Sequence, residues 1–349
     1  MEKDSKIRDI SDLKALIEEY KGSIIGAVRI VASYKLQNLW EAQVLHNSIS
    51  VLNLAENSQF GNQVTKSLDR IGASELTITD VLPKQSIKTA EEGWEQRFLR
   101  LATNEPNPVK EKELIPDTNF VMRRYATGML RRLGEEQFSK LRFAIPNLVI
   151  LEIEAIYNRA KKTSESLIEL SKSSKLKPKE EKEQTKAMFD MKEALIATKE
   201  LMFLRDRGAY ILNTNIEAAL KDLADIAGKG LTDRYIRKEI RDATKYLASS
   251  DTKFMTCDLM NALSAVAEGL PTLYFSRIKP QEGKYILSLD YNPCLEQLAD
   301  LIIDTTTVFE EISLNWHPCG RAVNTVLKGQ WEGWTIEDLL NNRIIERIA

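Results

Sequence analysis

The sequence predicts an α/β fold, because short apolar runs that suit strands alternate with segments of helical spacing. The first such run, Leu114 to Pro116, leads directly into the turn Asp117 to Asn119. A second strand-like run, Arg142 to Ile145, is followed by Pro146 and then by a helix-like segment. Acidic residues stand where strand-like and helix-like segments meet, which favours a functional site at that edge of a sheet.

Four acidic residues occupy these junctions: Asp117 after the first strand, Glu152 on the helix that follows the second, Asp233 in the first turn of a later helix, and Asp258 after Phe254 to Cys257. The later helix is predicted from Thr232 as N-cap and from the apolar spacing of Ile236, Ile240, Ala243 and Leu247. Groups at the carboxyl ends of strands in an open α/β sheet meet in one crevice. The four acids can therefore converge, although 258 − 117 = 141 positions separate the outermost pair.

In this order the segments resemble the PIN family of metal-dependent nucleases over residues 110–276. Pro146 before a helix with Glu152 is similar to the family's second motif, and Thr256-Cys257-Asp258, with Gly269 and the strand-like Leu273 to Phe275 further on, is similar to its last. The resemblance implies a PIN-like central parallel sheet flanked by helices, and an acidic two-metal site for Mg²⁺ or Mn²⁺. Its ligands would be Asp117, Glu152, Asp233 and Asp258, held in place by hydrogen bonds from Thr118, Asn119 and Thr256.

The function that this resemblance implies is hydrolysis of phosphodiester bonds by an endoribonuclease. Hydrolysis develops negative charge on the attacking water, the phosphoryl oxygens and the leaving oxygen, and cations held by carboxylates offset that charge. Single-stranded or looped RNA is the expected substrate, because splayed strands can enter an acidic pocket that a duplex cannot readily enter. The resemblance favours RNA over DNA, and it leaves RNA processing, toxin-like growth arrest and phage defence unranked.

The alternative is a catalytically inactive PIN-fold protein that binds RNA or serves as a scaffold subunit. The presence of all four acids argues against it. Two assignments also stay open within the site: Asp225 or Asp251 competes with Asp233, and Glu154 competes with Glu152. The 25 positions between Asp233 and Asp258 exceed the spacing of compact family members.

A long charged stretch interrupts the resemblance at about 160–205 and predicts an inserted helical hairpin with its tip near Pro178. Basic residues are in excess over 163–180, where Lys172, Lys175, Lys177 and Lys179 stand. These lysines form either a solvated face or a surface that binds the phosphate backbone of a substrate.

The flanking segments are expected to form two further units. Residues 1–105 are predicted to be mainly helical, from the spacing of Ile10, Leu13, Leu16 and Ile17 and from the helix-like Trp40 to Leu54. A linker is expected over 104–113. Residues 277–349 are predicted to be an α+β unit, with strands at Tyr285 to Leu289 and Thr306 to Ile312 and a closing helix from Thr335; Trp316, Trp331 and Trp334 there either stack on bases or pack.

Composition sets limits on these hypotheses. The net charge of −2 permits only a local basic groove, and the chain has no glycine-rich phosphate loop. Three cysteines without paired spacing fit reduced thiols, and His46 and His317 are too isolated for a histidine metal centre. Residues 1–14 lack a signal-peptide core, and Ser23 to Ala32 is too short to span a bilayer, so we expect a cytoplasmic protein without a membrane partner. A protein partner or homo-oligomer could use the flanking units.

Overall fold

The computed structural model describes residues 15, 28–45, 49–72, 76–81, 92–93, 112–173, 175–212, 231–244, 252–277, 283–287, 291–309, 311–317 and 323–328. The strands are β1 (Val28–Tyr34), β2 (Gln37–Val44), β3 (Ile49–Asn53), β4 (Leu76–Val81), β5 (Glu92–Gly93), β6 (Lys112–Pro116), β7 (Leu141–Pro146), β8 (Tyr210–Leu212), β9 (Thr252–Thr256), β10 (Thr272–Arg277), β11 (Lys284–Ile286), β12 (Glu311–His317) and β13 (Val323–Lys328). The helices are α1 (Gly61–Arg70), α2 (Thr118–Met122), α3 (Tyr125–Phe138), α4 (Asn147–Ser173), α5 (Pro178–Asp206), α6 (Leu231–Thr244), α7 (Leu259–Ala267) and α8 (Tyr291–Phe309).

The chain forms two compact units. Unit 1 contains Met1–Glu75 together with Lys279–Ala349, and unit 2 contains Leu76–Ile278. This differs from the three successive units expected from the sequence, because the segments on either side of the acidic region belong to one unit. The strand pairing explains the difference: β1 pairs with β12 from the other end of the chain.

Unit 1 is built on an antiparallel sheet with the order β11-β3-β2-β1-β12-β13. The helix predicted for Trp40 to Leu54 is wrong, since that segment contains most of β2 and all of β3. Burial along β3 alternates from residue to residue, as expected for a strand with one buried face. The expected helix at residues 10–17 lies outside the described residues, except for residue 15, and so does the closing helix from Thr335.

Helix α8 also corrects an expectation. Thr306 was predicted to start a strand, but α8 continues to Phe309, and β12 begins only at Glu311. The hydroxyl groups of Thr305 and Thr306 donate to carbonyl oxygens four residues earlier, at 2.6 and 2.7 Å. Such bonds to the preceding turn are the usual way in which a buried threonine hydroxyl finds an acceptor within a helix.

Unit 2 contains a seven-stranded sheet with the order β5-β4-β10-β9-β6-β7-β8. Its strands from β10 to β8 are parallel to one another, while β4 and β5 extend the sheet as antiparallel strands. The α/β fold class with a parallel sheet flanked by helices is thus confirmed. Lys112 and Glu113, expected in a linker, belong to β6.

The order of the parallel strands reverses at β6. The chain adds β7 and then β8 on one side of β6, and returns to add β9 and β10 on the other. In open α/β sheets a crevice forms outside the carboxyl ends of the strands at such a reversal, and ligands bind there. In this sheet the crevice lies beyond the ends of β6 and β9, which Asp117 and Asp258 follow.

The predicted insertion is a pair of long helices. Helix α4 has 27 residues and α5 has 29, and Pro178 opens α5 at the turn between them. The expected hairpin and its tip near Pro178 are therefore confirmed. Among the described helices, none combines the length and the apolar character needed to cross a membrane.

Candidate functional site

Asp117 lies at the end of β6 and is 1% exposed. It is the N-cap of α2, because its side chain accepts a hydrogen bond of 2.7 Å from the backbone N–H of Phe120. Its Oδ2 accepts a second bond of 2.5 Å from the hydroxyl of Thr256. Burial nevertheless raises the pKa of Asp117 to about 7, and the neighbouring Asp233 and Glu152 add to that rise.

Thr256 links the ends of the two central strands. Its hydroxyl donates to Asp117 and accepts a bond of 3.0 Å from the backbone N–H of Asp258. Asp258 in turn is the N-cap of α7, where its Oδ1 accepts from the backbone N–H groups of Met260 and Asn261 at 2.7 and 3.2 Å. Capping therefore gives both aspartates a structural role in addition to any chemical one.

Glu152 lies on α4, half-buried, and its Oε2 accepts a hydrogen bond from the hydroxyl of Thr118. Burial is the main cause of the raised pKa of Glu152, and Asp233 raises it further, while Arg159 lowers it. The competing Glu154 is exposed. The structure therefore brings Glu152, and not Glu154, to the other acids.

Asp233 stands in the first turn of α6, as predicted, although α6 starts at Leu231 and Thr232 lies within it and not at the N-cap. Burial and then Asp258 raise the pKa of Asp233, and Arg237 lowers it. Its Oδ1 accepts a bond of 3.3 Å from the side-chain amide of Asn261. The other candidates for this position, Asp225 and Asp251, lie outside the described residues.

Sequence analysis missed two buried residues, Asn261 and Arg237, that hold Asp233. Arg237 Nη1 donates to Asn261 Oδ1 at 2.6 Å, and the guanidinium also bonds Glu268 at 3.0 Å. Because Arg237 occupies the amide oxygen of Asn261, the amide nitrogen is directed towards Asp233. Helical spacing was the available signal: Arg237 follows Asp233 by four positions, and Asn261 follows Asp258 by three.

The four predicted acids form one chain of electrostatic neighbours. Asp233 and Glu152 both raise the pKa of Asp117, Asp233 raises that of Glu152, and Asp258 raises that of Asp233. Two helices, α4 and α6, and the ends of β6 and β9 contribute these side chains, from positions far apart in the sequence. Such mutual repulsion destabilises the fold unless a cation or a proton relieves it.

The carboxylate oxygens are turned towards donors within the protein. In this conformation, no three His, Cys, Asp or Glu side chains of the described residues are arranged as a ligand set for a metal ion. Hydroxyl groups donate hydrogen bonds to the carboxylates of Asp117 and Glu152, and backbone N–H groups donate to that of Asp258. A bound cation would share these oxygens with the present donors or draw the carboxylates away from them.

The remaining predicted site residues have mixed outcomes. Thr118 and Thr256 donate to the acids as expected, but the exposed Asn119 makes no side-chain hydrogen bond to any of the four. The four lysines predicted near the turn of the hairpin are exposed: Lys172, Lys175, Lys177 and Lys179. The side chains of Trp316 and His317, and all of His46, Cys319, Trp331 and Trp334, lie outside the described part, whereas Cys257 forms no disulfide.

Comparison of the chain with protein-family models, with curated proteins and with solved structures gives no match.

Proposed function

We propose that this protein is a metal-dependent, PIN-type endoribonuclease that hydrolyses single-stranded or looped RNA. One observation supports this most strongly: the four acids predicted from separate sequence motifs converge at the strand-order reversal of a parallel sheet. Asp117 and Asp258 each cap a helix, but Glu152 and Asp233 cap none of the described helices, so helix capping does not account for the cluster.

The donor set suits Mg²⁺ or Mn²⁺, which prefer carboxylate oxygens. Asp117, Glu152, Asp233 and Asp258 would hold the ions, and the raised pKa values of the first three reflect repulsion and burial that a cation would relieve. When bound, the metal supplies positive charge to offset the negative charge that develops on the phosphodiester during hydrolysis.

The protein's own contribution is to hold the acids in place. Thr256 fixes Asp117 relative to Asp258, Thr118 fixes Glu152, and the pair Arg237 and Asn261 fixes Asp233. Residues that fix the orientation of metal ligands commonly affect metal affinity and activity by 10- to 100-fold, in order of magnitude. The same proposal has Lys172, Lys175, Lys177 and Lys179 bind the phosphate backbone of the RNA. It also places the protein in the cytoplasm, where RNA substrates are present.

The decisive experiment measures cleavage of a panel of labelled RNA and DNA with Mn²⁺, with Mg²⁺ or with EDTA. We expect RNA cleavage that requires the metal, and no cleavage by Asp117→Asn or Asp258→Asn, because each change removes a ligand charge. Asn keeps an acceptor for the capped backbone N–H, so both variants should fold. Glu154→Gln, at an exposed position of α4, is the matched control and should remain active.

Near wild-type cleavage by either Asn variant would show that the acids are not metal ligands in catalysis. RNA binding without cleavage by the wild-type protein, in both metals, would instead favour an inactive RNA-binding or scaffold protein.

A further inference from the structure

The helical hairpin of unit 2 projects from the same edge of the sheet as the acids. Helix α4 begins at the carboxyl end of β7. At the end of α5 that lies away from the turn, α5 packs alongside α3 and runs in the same direction. Glu200 bonds Thr127 at the start of α3, and Arg207 bonds Glu135 near the end of α3 at 2.8 Å. Since α3 leads into the start of β7, α5 runs towards the amino ends of the parallel strands. Its earlier residues therefore extend beyond the carboxyl ends of those strands.

The outer half of the hairpin is solvated, and its tip is basic. Residues on α5 from Ala187 to Leu204 are mostly buried, whereas those on either side of the turn are mostly exposed. Lys172, Lys175, Lys177 and Lys179 are exposed, and none forms an ion pair within the described part of the chain. Glu180, the residue after Lys179, accepts the backbone N–H of Lys177 at 2.7 Å and so serves as a helix cap.

Helix geometry fixes how far the tip lies from the acids. Lys172 follows Glu152 by 172 − 152 = 20 residues of α4, and a rise of 1.5 Å per residue makes this about 30 Å. Phosphates along one strand of B-form DNA are spaced about 3.4 Å apart, so about nine nucleotides cover that distance. An RNA stem is A-form and rises less per base pair, so nine is a lower limit for it. A short oligonucleotide bound at the acids cannot contact the tip.

We propose that the hairpin tip binds the backbone of a base-paired stem about nine or more nucleotides from the cleaved bond, so that the preferred substrates are loops attached to long stems. This rests on the proposed ribonuclease function, and it adds a length requirement to it. The stem is the occupant that the geometry favours, because a base-paired helix is stiff enough to hold its phosphates about 30 Å from a loop bound at the acids. The exposed lysines would attract those phosphates whatever their sequence.

The test compares stem-loop RNAs with the same loop and stems of about 4 or about 16 base pairs, the shorter being too short to cover the distance from acids to tip. Lys172, Lys175, Lys177 and Lys179 are changed together to Gln, and a control variant has Gln at the exposed Lys35, Lys140 and Lys284. Binding is measured in the Asp117→Asn background, so that it does not depend on cleavage, and kcat/KM in the active protein.

We expect the wild-type protein to bind the long stem at least tenfold more tightly at low salt, and the tip variant to lose this preference without a change on the short stem. The log–log salt dependence for the long stem should become shallower by up to about 3 to 4, from the loss of four phosphate contacts. Equal binding of both stems by wild type, or an equal loss on both stems in the tip variant, would overturn the proposal. A second result would also overturn it: a lower mass of the tip variant than of the wild type in light scattering, without any effect of stem length on binding. The exposed Ile168 and Leu170 would then mark a surface that binds a second copy of the chain. Absence of cleavage alone would count against the nuclease and not against the length requirement.

Discussion

Asp117 illustrates how a single residue can be kept in a costly state. It caps α2, and burial, with smaller contributions from two neighbouring carboxylates, raises its pKa from the ordinary value of 3.8 to about 7. The hydrogen bonds from Thr256 and Phe120 lower that pKa but do not offset the effect of burial. At neutral pH and without a cation, the folded protein therefore holds this carboxyl group close to half-protonated.

This pKa predicts how the stability of the metal-free protein depends on pH. Between about pH 4 and pH 7 the folded state binds a proton at Asp117 that the unfolded state has released, so the free energy of unfolding falls as the pH rises through that window and levels off above it. Asp117→Asn removes this dependence. We expect the free energy of unfolding of this variant, minus that of the wild type, to increase by on the order of a few kcal/mol as the pH rises from 4 to 7. Urea unfolding in EDTA measures both values.

A difference between the two proteins that stays constant from pH 4 to pH 8 would mean that Asp117 does not take up a proton on folding. Asp258→Asn is a useful comparison, since it also removes a carboxylate of the site and keeps an acceptor for the capping bonds of a helix.

The choice between Glu152 and Glu154 is a second prediction at the residue scale. Only Glu152 bonds Thr118 and contributes to the raised pKa of Asp117, while Glu154 is exposed. We expect Glu152→Gln to lower the rate of RNA cleavage at least about 100-fold, the scale of a lost positioning or electrostatic contribution, and Glu154→Gln to change it little. Single-turnover kinetics with Mn²⁺ would measure both, and the reverse result would move the site by two residues.

Among the elements, α4 depends on a cap from another helix. Glu239 of α6 is buried, and its carboxylate accepts the backbone N–H groups of Asn147 and Leu148 at 3.2 and 3.1 Å. These are among the first N–H groups of α4, which no residue of α4 itself can satisfy. The same cap ties α6, which contains Asp233, to the helix that contains Glu152.

We therefore expect Glu239→Ala to lower the free energy of unfolding by about 1 to 3 kcal/mol, as when buried N–H groups lose a charged acceptor. Cleavage should fall at saturating substrate as well, because α4 and α6 would no longer be held together. Urea unfolding and single-turnover rates give the two readouts, with Glu154→Ala on the surface of α4 as control. An unchanged unfolding midpoint would show that solvent replaces the cap without loss.

The elements differ in how well their sequence predicts them. The hairpin was predictable, because charge and helical spacing persist over many turns and Pro178 marks the reversal. Strands β2 and β3 were not, because the apolar residues of Trp40 to Leu54 fit a helical spacing almost as well as a strand. Pairing with neighbouring strands decided the outcome there, and that pairing has no local signal.

For the whole molecule, local motifs predicted the acids and the donors Thr118 and Thr256, but not the residues that hold Asp233 or the grouping of the chain. Each acid follows a strand or lies within the first two turns of a helix, so a short segment was enough to recognise it. Asn261 and Arg237 gain their roles only through contacts between α6 and α7. Likewise, the pairing of β1 with β12 joins segments that no motif connects.

That pairing has a consequence during synthesis of the protein. β1 ends at Tyr34 and its partner β12 begins at Glu311, so 311 − 34 = 277 residues must be translated before β1 can complete its hydrogen bonds. At 5–20 residues per second the ribosome needs roughly 15 to 55 s for this. All of unit 2 emerges in that interval, as one uninterrupted segment. Synthesis of unit 2 can thus be complete while β1, β2 and β3 still lack their partner strands. Unpaired strand edges can pair with other chains, so a chaperone would be most useful at this stage.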